Sequence, residues 1–238
     1  MVSVILDIAK KEIKTFFRQS RAFATFVILL IFAGTAIYWI QNVLSQSGYT
    51  SAHLSSALGT YLFLAAVFPA SITSGISFMA FAAERDQKTL EYLLSLPLSD
   101  NEIFLGKFLA AIIAGLAGLA LSFSAVIGYT ALSNAIVWNA PLFTNSLSLL
   151  TFVVAPMLVI TFALIASILS RFLSSRDSFI TNLVSMGVLF GIFALKISAN
   201  LDAFAFNLLV VAILATAIVG MGIFGVKNFN REKLVARL

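Results

Sequence analysis

Apolar positions in this chain fall into long unbroken runs, with neither the alternation of a half-buried strand nor the one-sided stripe of a surface helix. No Asp, Glu, Lys or Arg occurs from Ala22 to Ala83, Phe108 to Ser170, Ser178 to Leu195 or Ala203 to Val226. A helix needs about 20 apolar residues to cross the hydrocarbon core of a bilayer. The runs therefore predict six crossings, at about 22–40, 56–83, 108–132, 147–169, 179–197 and 204–226. The second is long enough that it must tilt, bend or protrude. Pro69 and Pro156 interrupt the second and fourth, and around Pro69 the hydroxyls of Ser71, Thr73, Ser74 and Ser77 give a mildly polar side. That side either lines a cavity or bonds back to its own helix.

Residues 1–21 follow a different pattern. Ile5, Ile8, Ala9, Ile13, Phe16 and Phe17 share one helical face, and Asp7, Lys10, Lys11, Lys14 and Arg18 share the other. Such a helix is expected to lie in the headgroup layer, held by apolar burial and by anionic lipid. The whole reads as an all-α polytopic membrane protein: an in-plane amphipathic helix at 1–21, then one six-helix transmembrane domain at 22–238.

Composition agrees. The 238 residues are 61% hydrophobic and 11% charged, against about 45–50% and 25% in soluble chains, and the mean hydropathy is +1.04. A soluble enzyme, a nucleic-acid-binding module and a disordered tail are excluded. The net charge of +5 belongs to the ends of the crossings. Fourteen of the fifteen Lys and Arg residues lie before the first crossing, in the 84–107 and 170–178 links, or after the sixth; Lys196 is the exception. These segments alternate onto one side, which puts both termini in the cytoplasm and the protein in the plasma membrane.

Little catalytic chemistry is available. The chain has no cysteine and one histidine, His53, which leaves no thiolate metal site, no His-pair zinc motif and no Cys nucleophile. No metal site is expected. No crossing carries an ionisable group near its middle, so a proton or ion relay has nothing to run on. No phosphate-binding G-x-x-x-x-G-K-(S/T) loop occurs. The glycine-bearing runs Ala114–Gly118 and Gly220–Gly225, with Ala111, read as surfaces for close helix packing. The chain is expected to be non-catalytic and to bind no cofactor, its energy coming from another polypeptide.

The 84–107 link is the most informative stretch. Leu90, Leu93 and Leu94 give a short helix an apolar edge beside Glu91, Pro97 stops it, and Ser99 with Glu102 forms a Ser-x-x-Glu capping box that starts the next helix. Its leucines either dock on a partner or pack on their own bundle.

The run from Ala83-Glu84-Arg85 through Lys88-Thr89-Leu90-Glu91-Tyr92-Leu93-Leu94-Ser95-Leu96-Pro97-Leu98-Ser99 to Glu102 and Gly106-Lys107 resembles the signature link of ABC-2 type transporter permeases. Those subunits read E-R-x-x-x-T-x-E-x-L-L-x-x-P-(V/L)-S-x-x-E-x-x-x-G-K after their second transmembrane helix. The segment around Ala9-Lys10-Lys11-Glu12-Ile13 is similar to the family's elbow helix, and the branch it most resembles is the compact gliding-associated and nitrous-oxide-maturation type.

The resemblance implies the permease subunit of an ATP-driven exporter. Two such permeases (a homodimer, or this chain with a related one) would work with two cytoplasmic ABC ATPase subunits, which hold the ATP and Mg. The link would be the coupling helix, with Thr89 to Leu94 making the contact, Glu84, Arg85 and Lys88 at its entry, and Pro97, Ser99 and Glu102 setting its return. Arg171, Arg176 and Asp177 would form a secondary contact. The substrate path would run along the dimer seam, with the Ser71–Ser77 face a candidate lining. The competing expectation is a membrane anchor or assembly subunit with no transport cycle. No nucleic-acid partner is expected.

Overall fold

The computed structural model describes residues 2–18, 51–86, 98–133, 145–170, 172–173 and 202–228, with separate positions within 27–42 and 180–195. Among the described residues the fold is all-α. The elements are α1 (Val2–Arg18), α2 (Ser51–Asp86), α3 (Asp100–Ser133), α4 (Asn145–Leu149), a π-helical turn (Leu150–Val154), α5 (Ala155–Leu169) and α6 (Ala203–Asn228). The described positions within 27–42 and 180–195 are helical as well.

Among the described residues, four helices are long and apolar enough to cross a membrane, along Ala65–Ala82, Asp100–Gly128, Leu150–Leu169 and Phe204–Gly225. They fall within or over the second, third, fourth and sixth predicted runs. α2 is one helix of 36 residues. At 1.5 Å per residue it is about 54 Å long, well beyond the ~30 Å hydrocarbon core, so a helix of this length must tilt, bend or protrude.

Pro69 does not break α2. The ring leaves the Ala65 carbonyl without its i+4 donor, and one turn on the Thr73 hydroxyl donates to Pro69's own carbonyl at 2.7 Å. Pro156 is accommodated by a change of pitch. The Ala155 N–H bonds back to the Leu150 carbonyl, an i to i+5 closure, and the proline then occupies the first turn of α5, where its missing N–H costs least.

Among the described helices α2 is central, packed on α5 and α3; α1 lies along α3, and α6 along α5. The core joins Leu62, Ala65, Ala66 and Ala70 of α2 to Leu119 and Phe123 of α3, Leu158 and Phe162 of α5, and Val210 and Leu214 of α6. Hydrocarbon tails are as apolar as leucine, so this core is held by van der Waals fit between small residues more than by the hydrophobic effect. Gly115 marks the tightest point. A Cβ there would stand 1.9 Å from the Thr73 hydroxyl and 2.7 Å from a Val159 methyl, which places α2, α3 and α5 in contact at one residue.

The second glycine run behaves otherwise. Gly225 packs on Phe104, but a Cβ at Gly220 or Gly222 would meet nothing within 4 Å. Among the described residues, close packing along 220–225 is made at Gly225. Of these four spans α6 is the least covered, with 17% of it buried against 44–56% for the others.

Candidate functional site

The described parts of the 84–107 link are its two roots. On the entry side, Glu84 and Arg85 belong to the last turn of α2, which ends at Asp86; their side chains lie outside the description. Lys88, Thr89, Leu90, Glu91, Leu93, Leu94 and Pro97 also lie outside the described residues, as do Arg171, Arg176 and Asp177 of the second link.

The exit root is built locally. The Ser99 N–H donates to Glu102 Oε2 at 2.9 Å, the Ser99 hydroxyl reaches the same oxygen at 2.9 Å, and the Glu102 N–H returns to Ser99 Oγ at 3.3 Å. This is the reciprocal capping box that the Ser-x-x-Glu spacing predicts. Just before the cap, Leu98 packs on the Ile103–Phe104 cluster together with Phe81. Leu98 precedes the cap and Ile103 is the fourth helical residue, the positions of a hydrophobic staple. The box satisfies the first amides, and the staple fixes the angle at which the chain enters α3.

One turn further on, Gly106 and Lys107 join three helices. A Cβ on Gly106 would stand 2.7 Å from Ile8 Cβ and 3.2 Å from the Ile5 carbonyl oxygen, so α1 crosses α3 where only glycine fits. Lys107 is 2% exposed. Its ammonium donates to the Ala80 carbonyl of α2 at 2.5 Å, pairs with Glu12 of α1 at 3.4 Å and stands 5.6 Å from the centre of the Phe81 ring. Phe104 lies between Phe81 (5.6 Å) and Phe108 (5.9 Å), with Gly225 of α6 against its edge.

Two features add to the sequence reading. Lys107 is sealed among helices. The apolar face of α1 is spent partly on protein, since Ala9 is buried and Ile8 sits on Gly106. The adjacent Gly and Lys were the available signal. Their partners on α1, almost a hundred residues away, were not readable.

The second link starts at the same end of the bundle. Ser170 closes α5, its N–H bonded to the Ala166 carbonyl at 2.9 Å and its hydroxyl to the Ser167 carbonyl at 2.7 Å. Leu173 then packs on the cluster of Phe78, Ala82 and Ala166. With Gly225 on Phe104, described residues from the N-terminal segment, both links and the end of α6 meet at one end of the molecule.

The polar side of α2 faces inward. Ser71 donates to the Val67 carbonyl at 3.0 Å and stays half-buried. Thr73, Ser74 and Ser77 are fully buried. Ser74 shares a 3.1 Å hydrogen bond with Ser185, and Ser77 donates to the Ala163 carbonyl of α5 at 2.9 Å. Of the two alternatives left by the sequence, bonding back holds for Ser71 and Thr73, while Ser74 and Ser77 join helices instead. Thr181 and Ser122 are buried too, their hydroxyls without a partner among the described residues. No three His, Cys, Asp or Glu residues converge among the described residues. The arrangement is one of packing, capping and charge pairing.

Compared with the curated proteins, the chain matches none. The family model described as "ABC-2 family transporter protein" matches residues 6–208, which takes in α1, both roots of the link and the bundle through the start of α6. A polytopic helical bundle bearing the signature link, matched by that model over most of its length, belongs to the ABC-2 transporter family and is the permease component of an ABC transporter.

Proposed function

We propose that the chain is the permease of an ATP-driven exporter. Two copies enclose the substrate path, and two cytoplasmic ATPase subunits grip the 84–107 links and hold the ATP and Mg. In this reading the bundle has six crossings, both termini are cytoplasmic and the plasma membrane is its site. The chain supplies no catalytic group; it offers two packings whose balance the ATPase shifts through its differential contact with the link.

The observation that carries this reading is the construction of the link's exit root. A capping box, a staple and a buried ammonium tie the start of α3 to α1 and α2 within two turns. Force delivered at the 87–97 segment would reach the long central helices rather than dissipate in a loose loop. The described residues also hold no buried ionisable group other than Lys107, at the bundle's end, which suits a carrier energised from outside the membrane.

The test is co-purification of the tagged chain from its own membranes with assay of accompanying ATP hydrolysis. Wild type is expected to bring down an ATPase. Glu91→Arg and Leu94→Asp should insert normally and lose that activity at least tenfold. A chain that brings down other membrane proteins but no ATPase would instead be an anchor or assembly subunit.

A further inference from the structure

We infer that Lys107 is a positioning residue that fastens α1 to both roots of the link, so that the amphipathic helix moves with the link as one body. This rests on the coupling reading above and adds to it a second moving part.

Three observations carry it. First, the ammonium is 2% exposed, and its polar partners include groups on two other helices, the Ala80 carbonyl of α2 and the Glu12 carboxylate of α1. A buried charge that loses one partner is strongly disfavoured, so α1 cannot leave by degrees. Undocking takes the Glu12 carboxylate away from this ammonium and opens its seal. Second, Gly106 brings α1 to backbone contact with α3 beside the ion pair, so the joint has a steric seat as well as a charge. Third, Ala80 stands one helical turn before Glu84, whose N–H is its i+4 position in α2. The tie therefore acts on the last turn of α2 before the link departs.

The absence of cysteine allows clean paired labels. Spin labels at Lys14→Cys on α1 and Asn101→Cys on α3, both exposed positions, report the joint in the full-length chain in lipid nanodiscs. Wild type should give one narrow distance distribution. Glu12→Gln, which keeps the side chain's size and removes its charge, should broaden it or add a second population, as should Lys107→Met; Lys10→Gln, on the outer face of α1, should leave it unchanged. A Glu12→Gln distribution identical to wild type overturns the inference.

A second pair, Lys14→Cys with Val219→Cys on α6, reads motion in the complex with its co-purified ATPase. ATP with vanadate should shift this distance in wild type, and Glu12→Gln should lose the shift while hydrolysing ATP within twofold of wild type. A normal shift in Glu12→Gln also overturns the inference. A wild-type distance indifferent to nucleotide sinks the coupling reading instead, and the first pair still judges the joint.

Discussion

At Gly115 one missing methyl sets the spacing of three helices, because the Thr73 hydroxyl and a Val159 methyl already occupy the space a side chain would need. Gly115→Leu should lower stability by about 1–3 kcal/mol, the usual cost of overpacking, read as a fall in the melting temperature of the detergent-solubilised chain. Gly220→Ala, with nothing within 4 Å, should cost nothing and gain up to about 1 kcal/mol from helix propensity. The sequence marked both glycines alike as packing surfaces. It could not separate them, because a glycine in an apolar run looks the same whether it faces a helix or a lipid tail. Serine and threonine hydroxyls share this limit: Ser71 and Ser74 lie three apart on α2, yet one bonds its own helix and the other reaches Ser185.

Among whole elements, what was legible was local. The capping box at Ser99 is written in four consecutive residues, and the structure forms each of its bonds. Ser99→Ala should cost about 1 kcal/mol at the start of α3, seen as roughly fivefold faster amide exchange at Glu102 and Ile103. α1 was legible as a helix with two faces, because its period is short-range. Which surface its apolar face would meet was not, since lipid and Gly106 accept isoleucine equally well. The π turn at 150–154 was missed for a related reason: Pro156 announces a disturbance in the helix, but whether it is met by a kink or by a wider turn depends on the core into which Leu150 and Val154 pack.

For the whole molecule, the charge count and the packing agree through different physics. Lys and Arg cluster in segments whose alternation predicts one side, and contacts among Glu12, Lys107, Leu173 and Gly225 gather the described parts of those segments at one end. Thiol labelling of intact cells should therefore spare Lys14→Cys, Asn101→Cys and Lys233→Cys until the membrane is opened, and should modify Gln46→Cys at once. Labelling of Asn101→Cys from outside would reverse the orientation and remove the link from reach of any cytoplasmic ATPase. The order of the long helices could be anticipated from hydropathy. Their neighbours could not, because apolar faces of near-equal character specify burial without specifying against whom.

The sealed ammonium of Lys107 also makes a natural reporter. Amine-reactive tags that decorate the exposed Lys10, Lys11 and Lys14 have no route to it while α1 is seated. Uptake of tag at residue 107, followed peptide by peptide in a mass spectrometer, would therefore time the parting of these helices in unmodified protein.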